Sequence, residues 1–277
     1  MVLKTMRYMH EWEERNYDRH RRDALAAERL TSSPMTVNIF GFCGNSGLFE
    51  YGDGGDVSRW IYHRENDSAY SFTEALDVAT QIAEGIAAAH SVDGSEYATI
   101  AHTDITANQF ILIDGVYKLN DFNRCRFIRW NTKTNEPCPY NVGNNPGKLR
   151  APEEYAYEPQ TEKVDVYSMG NIFYELLMKQ WPFEKLSDEE AQANIKDGKR
   201  GHVSRGIVES KDPAIRALYE AMQRSWTHLA KDRPKAREIA DYLVEALGKI
   251  RQSGRGANKN ALETVQVAGE EKMNVVT

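Results

Sequence analysis

Cysteine is scarce: the chain holds only Cys43, Cys125 and Cys138, with no CxxC pair. An odd number so spaced supports neither a disulfide framework nor a zinc knuckle, and it suits a reducing, intracellular compartment. Long apolar runs are missing too. Nothing approaches the roughly 18 to 20 apolar residues of a membrane span, and the opening "MVLKTMRYMHEWEERNYDRHRR" has no apolar signal-peptide core. The expected location is cytoplasmic, with a membrane segment upstream of residue 1 left open. Positive charge is not in excess either: 35 Lys and Arg against 41 Asp and Glu give a net charge of -6. That balance offers no electrostatic ground for a nucleic-acid partner. What is present is a globular composition, 41% hydrophobic over 277 residues, enough for one large core or two lobes.

Along the chain, residues 2 to 6 read as a short strand and residues 10 to 30 as a charged helix that "SSP" breaks. "TVNIFGFC" and "GLFEY" read as strands joined by the turn "GNS", and "YGDGGDV" as a Gly-rich hinge before the short segment "SRWIYHRE". Ser71 and Glu74 form a capping-box pattern ahead of a helix whose Val78, Ile82 and Ile86 recur at helical spacing. From residue 154 onward three amphipathic stretches alternate with polar loops. Residues 251 to 277 lack sustained periodicity and are expected to form a flexible tail.

Between these parts lies "HTDITANQFILIDGVYKLNDFNRCRF", residues 102 to 127. Asp114-Gly115 between two apolar runs is a strong hairpin signal. It places Asp104 and Asp121 at the two ends of one short hairpin.

"VLKT", "HTD", "NDFN", "APEE", "DVYSMG" and "DRP" follow one another in the order and at roughly the spacing of protein kinases, and the chain resembles that superfamily over about residues 1 to 250. The resemblance implies an α+β, two-lobed fold. A truncated N-terminal lobe, residues 1 to 51, would hold the third strand, helix C and two further strands; residues 52 to 250 would form the helical lobe with the catalytic loop and activation segment. It implies ATP and Mg²⁺ as cofactors and a protein as substrate or docking partner. Carried over residue by residue, Lys4 holds the nucleotide phosphates, Asp23 stands for the Glu that pairs with it, and Asp104 orients the acceptor hydroxyl. Asp121 binds the metal, a task that suits a carboxylate because hard cations prefer oxygen. His102 and Phe122 belong to an apolar stack, Glu153 and Arg233 to a buried ion pair, and Asp165 to the tie that holds the catalytic-loop backbone.

The departures leave enzyme and pseudokinase scaffold both open. Gln109 stands where the resemblance expects an Asn as second metal ligand, and the extra methylene predicts a weaker site. Asn108 falls one residue early. Thr106 replaces a phosphate-contacting Lys, and Thr103 an Arg that would read a phosphorylated activation segment. Asp at position 23 shortens the expected reach to Lys4 by one methylene. Asn123 replaces a Gly, and because Asn tolerates left-handed backbone best among the other residues, the turn is expected to survive. Only three residues precede Lys4, so the phosphate-covering Gly-rich hairpin expected before it is not in this sequence; the chain is read as a fragment or as having an open nucleotide site. "PGKLRAPEE" and Thr106 lean towards the tyrosine-kinase-like branch. Thr132, Thr134 and Tyr140 are hydroxyls of the segment between Asp121 and Glu153, where the ordinary expectation is a solvent-facing group.

Overall fold

The computed structural model describes residues 1–6, 13–63, 70–94 and 97–253. Strand β1 (Val2–Thr5) and strand β2 (Ile39–Cys43) both pair antiparallel with β3 (Ser46–Phe49), giving the order β1-β3-β2. The β2–β3 turn is tighter than expected: Ser46 already pairs with Cys43, leaving Gly44-Asn45 as the turn, with Gly44 at φ 56°. Helix α1 (Glu14–Arg29) packs on this sheet through small residues. Its Ala24 and Ala27 meet Val37, Ile39, Phe49 and Ile113 in a compact apolar cluster.

The hinge follows. Gly52 and Gly54 lie so close to residues 110–113 that a Cβ on either would come within 2.6 Å of Ile111 or 2.7 Å of Leu112. Here glycine is required by close approach. Helix α2 (Val57–Tyr62) starts at Asp56, whose carboxylate accepts from the Arg59 amide at 2.8 Å. Helix α3 (Phe72–His90) buries Val78, Ile82 and Ile86 as their spacing predicts. The Ser71 side chain, however, makes no capping hydrogen bond. Packing of Ala75 and Leu76, both fully buried, holds that end instead, as is usual for helices with a strong core face.

Beyond α3, β4 (Ile100–Ala101) pairs with β7 (Arg126–Phe127), and β5 (Phe110–Ile113) forms a hairpin with β6 (Val116–Leu119). Asp114 and Gly115 have φ of 51° and 81°, the two positive values of a type I′ turn. A small pair, β8 (Trp130–Asn131) and β9 (Glu136–Pro137), follows. The helical part comprises α4 (Pro152–Tyr155), α5 (Lys163–Met178), α6 (Asp188–Lys196), α7 (Arg205–Val208), α8 (Pro213–Ser225) and α9, residues 236–253. Helix α5 is buried on every side from Val164 to Leu177, the pattern of a central core helix. Residues 251–253 continue α9 where a tail was expected, because Ile250 still packs on the core; the rest of that tail, 254–277, lies outside the described residues. No helix among the described residues is long and apolar enough to cross a membrane. The whole is the mixed small-sheet and helical arrangement of a kinase-like fold.

Candidate active site

The β5–β6 hairpin fixes the two sides of the site. Gln109 ends a 3₁₀ turn (Ala107–Gln109) before β5, and its carbonyl accepts from the Asn120 amide at 2.8 Å. The backbones of Gln109 and Asp121 are therefore held side by side. Gln109 is half-buried while Asn108 is exposed.

Asp121 adopts the left-handed conformation, φ 62° and ψ 68°, which turns its carboxylate back towards the small sheet. Its Oδ1 lies 2.6 Å from Lys4 Nζ and 2.7 Å from Asn123 Nδ2. Lys4 Nζ is also 2.8 Å from Asp23 Oδ2. Burial opposes the Lys4 ammonium, but Asp23 and Asp121 outweigh it and hold its pKa above the ordinary value. Asp23, itself buried, uses its other oxygen to accept the Phe122 amide at 2.7 Å. The shorter Asp still reaches Lys4, from a helix whose buried residues beside it, Ala24, Ala26 and Ala27, are small. Asn123 does not carry the left-handed turn: positive φ falls on Asp121, and Asn123 sits within the right-handed 3₁₀ turn Phe122–Arg124.

The Asp104 loop is built on α5. The Asp165 carboxylate accepts the His102 and Thr103 amides, each at 2.7 Å, and meets His90 Nε2 at 2.9 Å. His102 packs edge-on against Phe122 with ring centroids 5.0 Å apart. Its Nε2 faces the Asn120 carbonyl at 2.9 Å while its Nδ1 faces the Asp104 amide at 3.3 Å. A carbonyl facing one nitrogen and an N–H the other fit the tautomer that carries its proton on Nε2. Thr103 has φ 61°, and its hydroxyl donates to the Arg124 carbonyl at 2.8 Å.

Two residues that the motifs did not single out converge on Asp104. Arg150 Nη2 lies 2.7 Å from Asp104 Oδ1, with its Nη1 on the Thr103 carbonyl at 2.9 Å, and Arg124 Nε lies 3.7 Å from the same carboxylate oxygen. Burial first, and Arg150 next, lower the Arg124 pKa. The available signal was Thr106: without a lysine there, Asp104 has no cation within its own loop. Beside Asp104 opens a cavity of about 340 Å³ lined by Thr106, Leu149, Arg150, Ser168 and Trp181. The segment that forms its wall is anchored by Glu153, whose Oε1 lies 2.8 Å from Arg233 Nη1. Tyr140 is not solvent-facing: its hydroxyl donates to the Thr161 carbonyl at 3.0 Å, whereas Thr132 and Thr134 are exposed.

Lys4 and Asp23 thus meet Asp121 at the end of the hairpin where the Gln109 backbone also lies, and Asp104 stands by the cavity. Among known proteins, mitogen-activated protein kinase kinase kinase 7 of Bos taurus is 25% identical over 227 residues, covering 76% of this chain and 37% of its own length. The LRR receptor-like serine/threonine-protein kinase GSO2 of Arabidopsis thaliana is 26% identical over 245 residues, 79% of this chain and 19% of that protein. Serine/threonine-protein kinase VIK of Arabidopsis thaliana is 28% identical over 212 residues, 74% of this chain and 44% of that protein. The chain therefore spans less than half the length of each of these relatives. The profile of the family described as protein tyrosine and serine/threonine kinase matches residues 1–243. With the motifs in order, the kinase-like fold and that match over most of its length, the chain belongs to the protein tyrosine and serine/threonine kinase family.

Proposed function

We propose that this chain, with residues 1–51 as its sheet-containing lobe and 52–250 as its helical lobe, binds ATP with Mg²⁺ and transfers the terminal phosphoryl group to a protein hydroxyl. The observation that carries the reading is the convergence of Lys4 on Asp23 and Asp121, with Asp23 also holding the Phe122 amide. One cation and one oxygen donor are thereby preset on the phosphate side. The donor set fits a hard divalent ion: Asp121 supplies a partly exposed carboxylate, and Gln109, whose backbone is held next to it, would bring a side-chain amide oxygen. Bound Mg²⁺ would neutralise charge on the phosphate oxygens. Lys4 would leave Asp121 to hold phosphate, Asp23 would keep it oriented, and Asp104 would take the proton of a hydroxyl entering the adjacent cavity. Ser, Thr and Tyr all remain admissible acceptors.

A second reading, a kinase-fold scaffold without transfer, draws on the two arginines at Asp104, which neutralise the carboxylate that must accept a proton. Thermal unfolding with ATP, with and without Mg²⁺, tests the binding half: a metal-dependent rise in Tm that Asp121→Asn abolishes is expected, because a ligand of the folded state alone must stabilise it. Phosphotransfer to a mixed peptide library tests the rest. Asp104→Asn should remove it; transfer at the wild-type rate in that variant rejects the role given to Asp104, and no transfer by the wild type favours the scaffold.

A further inference from the structure

The backbone gives no reason for Asn at position 123. The residue with left-handed backbone is Asp121, and Asn123 occupies an ordinary right-handed turn that alanine or serine would also fill. Its side chain, by contrast, has a specific partner. Asn123 Nδ2 lies 2.7 Å from Asp121 Oδ1, the same oxygen that Lys4 contacts at 2.6 Å. The amide is half-buried and faces the carboxylate assigned above to the metal.

A carboxamide carries a donor nitrogen and an acceptor oxygen on one plane, nearly equal in size, so a half-turn about its last torsion exchanges them. The atom now 2.7 Å from Asp121 Oδ1 would then be an oxygen. Neighbouring oxygens of an octahedral Mg²⁺ site, each about 2.0 to 2.1 Å from the ion, are separated by about 3 Å. The spacing already present between the two side chains therefore approximates one edge of such a site. The i, i+2 pair also sits on a fixed 3₁₀ turn, whereas the Gln109 side chain needs one more rotatable bond to reach the same place.

We infer that Asn123 is a metal ligand: with Asp121 it forms a two-residue oxygen clasp for a divalent cation, releasing its hydrogen bond as Lys4 turns to the nucleotide. The inference rests on the metal-nucleotide reading above. It makes Asn123 functionally the replacement for what the Asn-to-Gln change at position 109 weakens.

Mn²⁺ binding to the ATP-loaded full chain, measured by loss of the free-ion electron paramagnetic resonance signal, tests it in wild type, Asn123→Ala, Asn123→Gly, Asn123→Asp and Asp121→Asn. The expected result is about ten-fold weaker Mn²⁺ binding in the Ala and Gly variants, with binding in Asn123→Asp at least as tight as in wild type. Asn123→Asp separates ligation from mere support of Asp121, since a carboxylate can ligate but cannot donate the hydrogen bond. Asn123→Asp as weak as Asn123→Ala, or Asn123→Ala as tight as wild type while Asp121→Asn is lost, overturns the inference and leaves the metal site standing on Asp121. Wild type that takes up no Mn²⁺ beyond ATP alone overturns both this inference and the reading on which it rests. The metal-free Tm of the Asn123 variants, expected within about 4 °C of wild type for the loss of one half-buried hydrogen bond, shows that any loss is not a folding defect.

Discussion

Replacing Glu153 by Gln strands a guanidinium that has no exposure at all. The Arg233 side chain is 0% exposed and forms its ion pair with Glu153 at 2.8 Å. It also donates to the carbonyls of Thr227, Lys163 and His228 and lies over the Tyr167 ring. Those carbonyls survive the substitution, so the donors stay occupied and the loss is one of charge compensation. Breaking a buried pair costs about 3 to 5 kcal/mol, and the remaining carbonyls place this case near the lower end. At about 2 to 4 °C per kcal/mol for a domain of roughly this size, Tm should fall by about 6 to 12 °C. Urea unfolding of Glu153→Gln, Arg233→Met and the double variant measures it directly. The double variant should be destabilised less than the sum of the single changes by about 2 kcal/mol or more, the coupling expected of residues in one network. Glu153→Gln within about 1 kcal/mol of wild type would refute the reasoning, since it would mean the carbonyls alone suffice for a buried guanidinium.

Other consequences are as concrete. Gly170→Ala should destabilise by about 1 to 3 kcal/mol in urea, because its Cβ would lie 2.7 Å from Trp226 Cδ1 at the α5–α8 contact; an unchanged midpoint would show that Trp226 is free to move. Burial lifts the Glu175 carboxyl from 4.5 to about 7, only partly offset by the Tyr62 hydroxyl. Between those values the folded chain holds a proton that the unfolded chain releases, so stability should fall as pH rises through that window, by roughly 3 kcal/mol in all. Glu175→Gln should flatten the profile, and parallel profiles for the two proteins would contradict a neutral Glu175. Arg150→Ala frees Asp104 from its 2.7 Å partner and should lower phosphotransfer on the order of 10²-fold through misplacement of the carboxylate; an undiminished rate would leave Arg150 without a part in the reaction.

What the sequence disclosed was local or carried by motif. Asp114-Gly115 determines its own turn within four residues, and Val78, Ile82 and Ile86 declare one helix face, so both are found where expected. Lys4, Asp23 and Asp121, up to 117 residues apart, were linked only through the resemblance, and they meet in the structure. Arg150 and Arg124 could not be read in this way. Arg150 approaches Asp104 through the return of the segment after β7, and Arg124 through the 3₁₀ turn that follows Asp121, and no local pattern encodes either meeting. The Ser71 pattern was a local signal that tertiary packing made unnecessary. Asn123 shows the opposite failure: residue type suggested a backbone explanation, and the dihedral angles assign the left-handed backbone to Asp121, two residues earlier.

The chain enters the β2–β3 hairpin of the small sheet past Val37 and leaves it past Gly55, and both crossings are bonded to a second hairpin, β5–β6. The Val37 amide donates to the Leu119 carbonyl at 2.9 Å, and the Leu112 amide to the Gly55 carbonyl at 2.8 Å. Gln109 and Asp121 flank that same hairpin. A displacement of β2 and β3 is therefore passed, through these amide contacts, to the one hairpin whose ends carry Gln109 and Asp121.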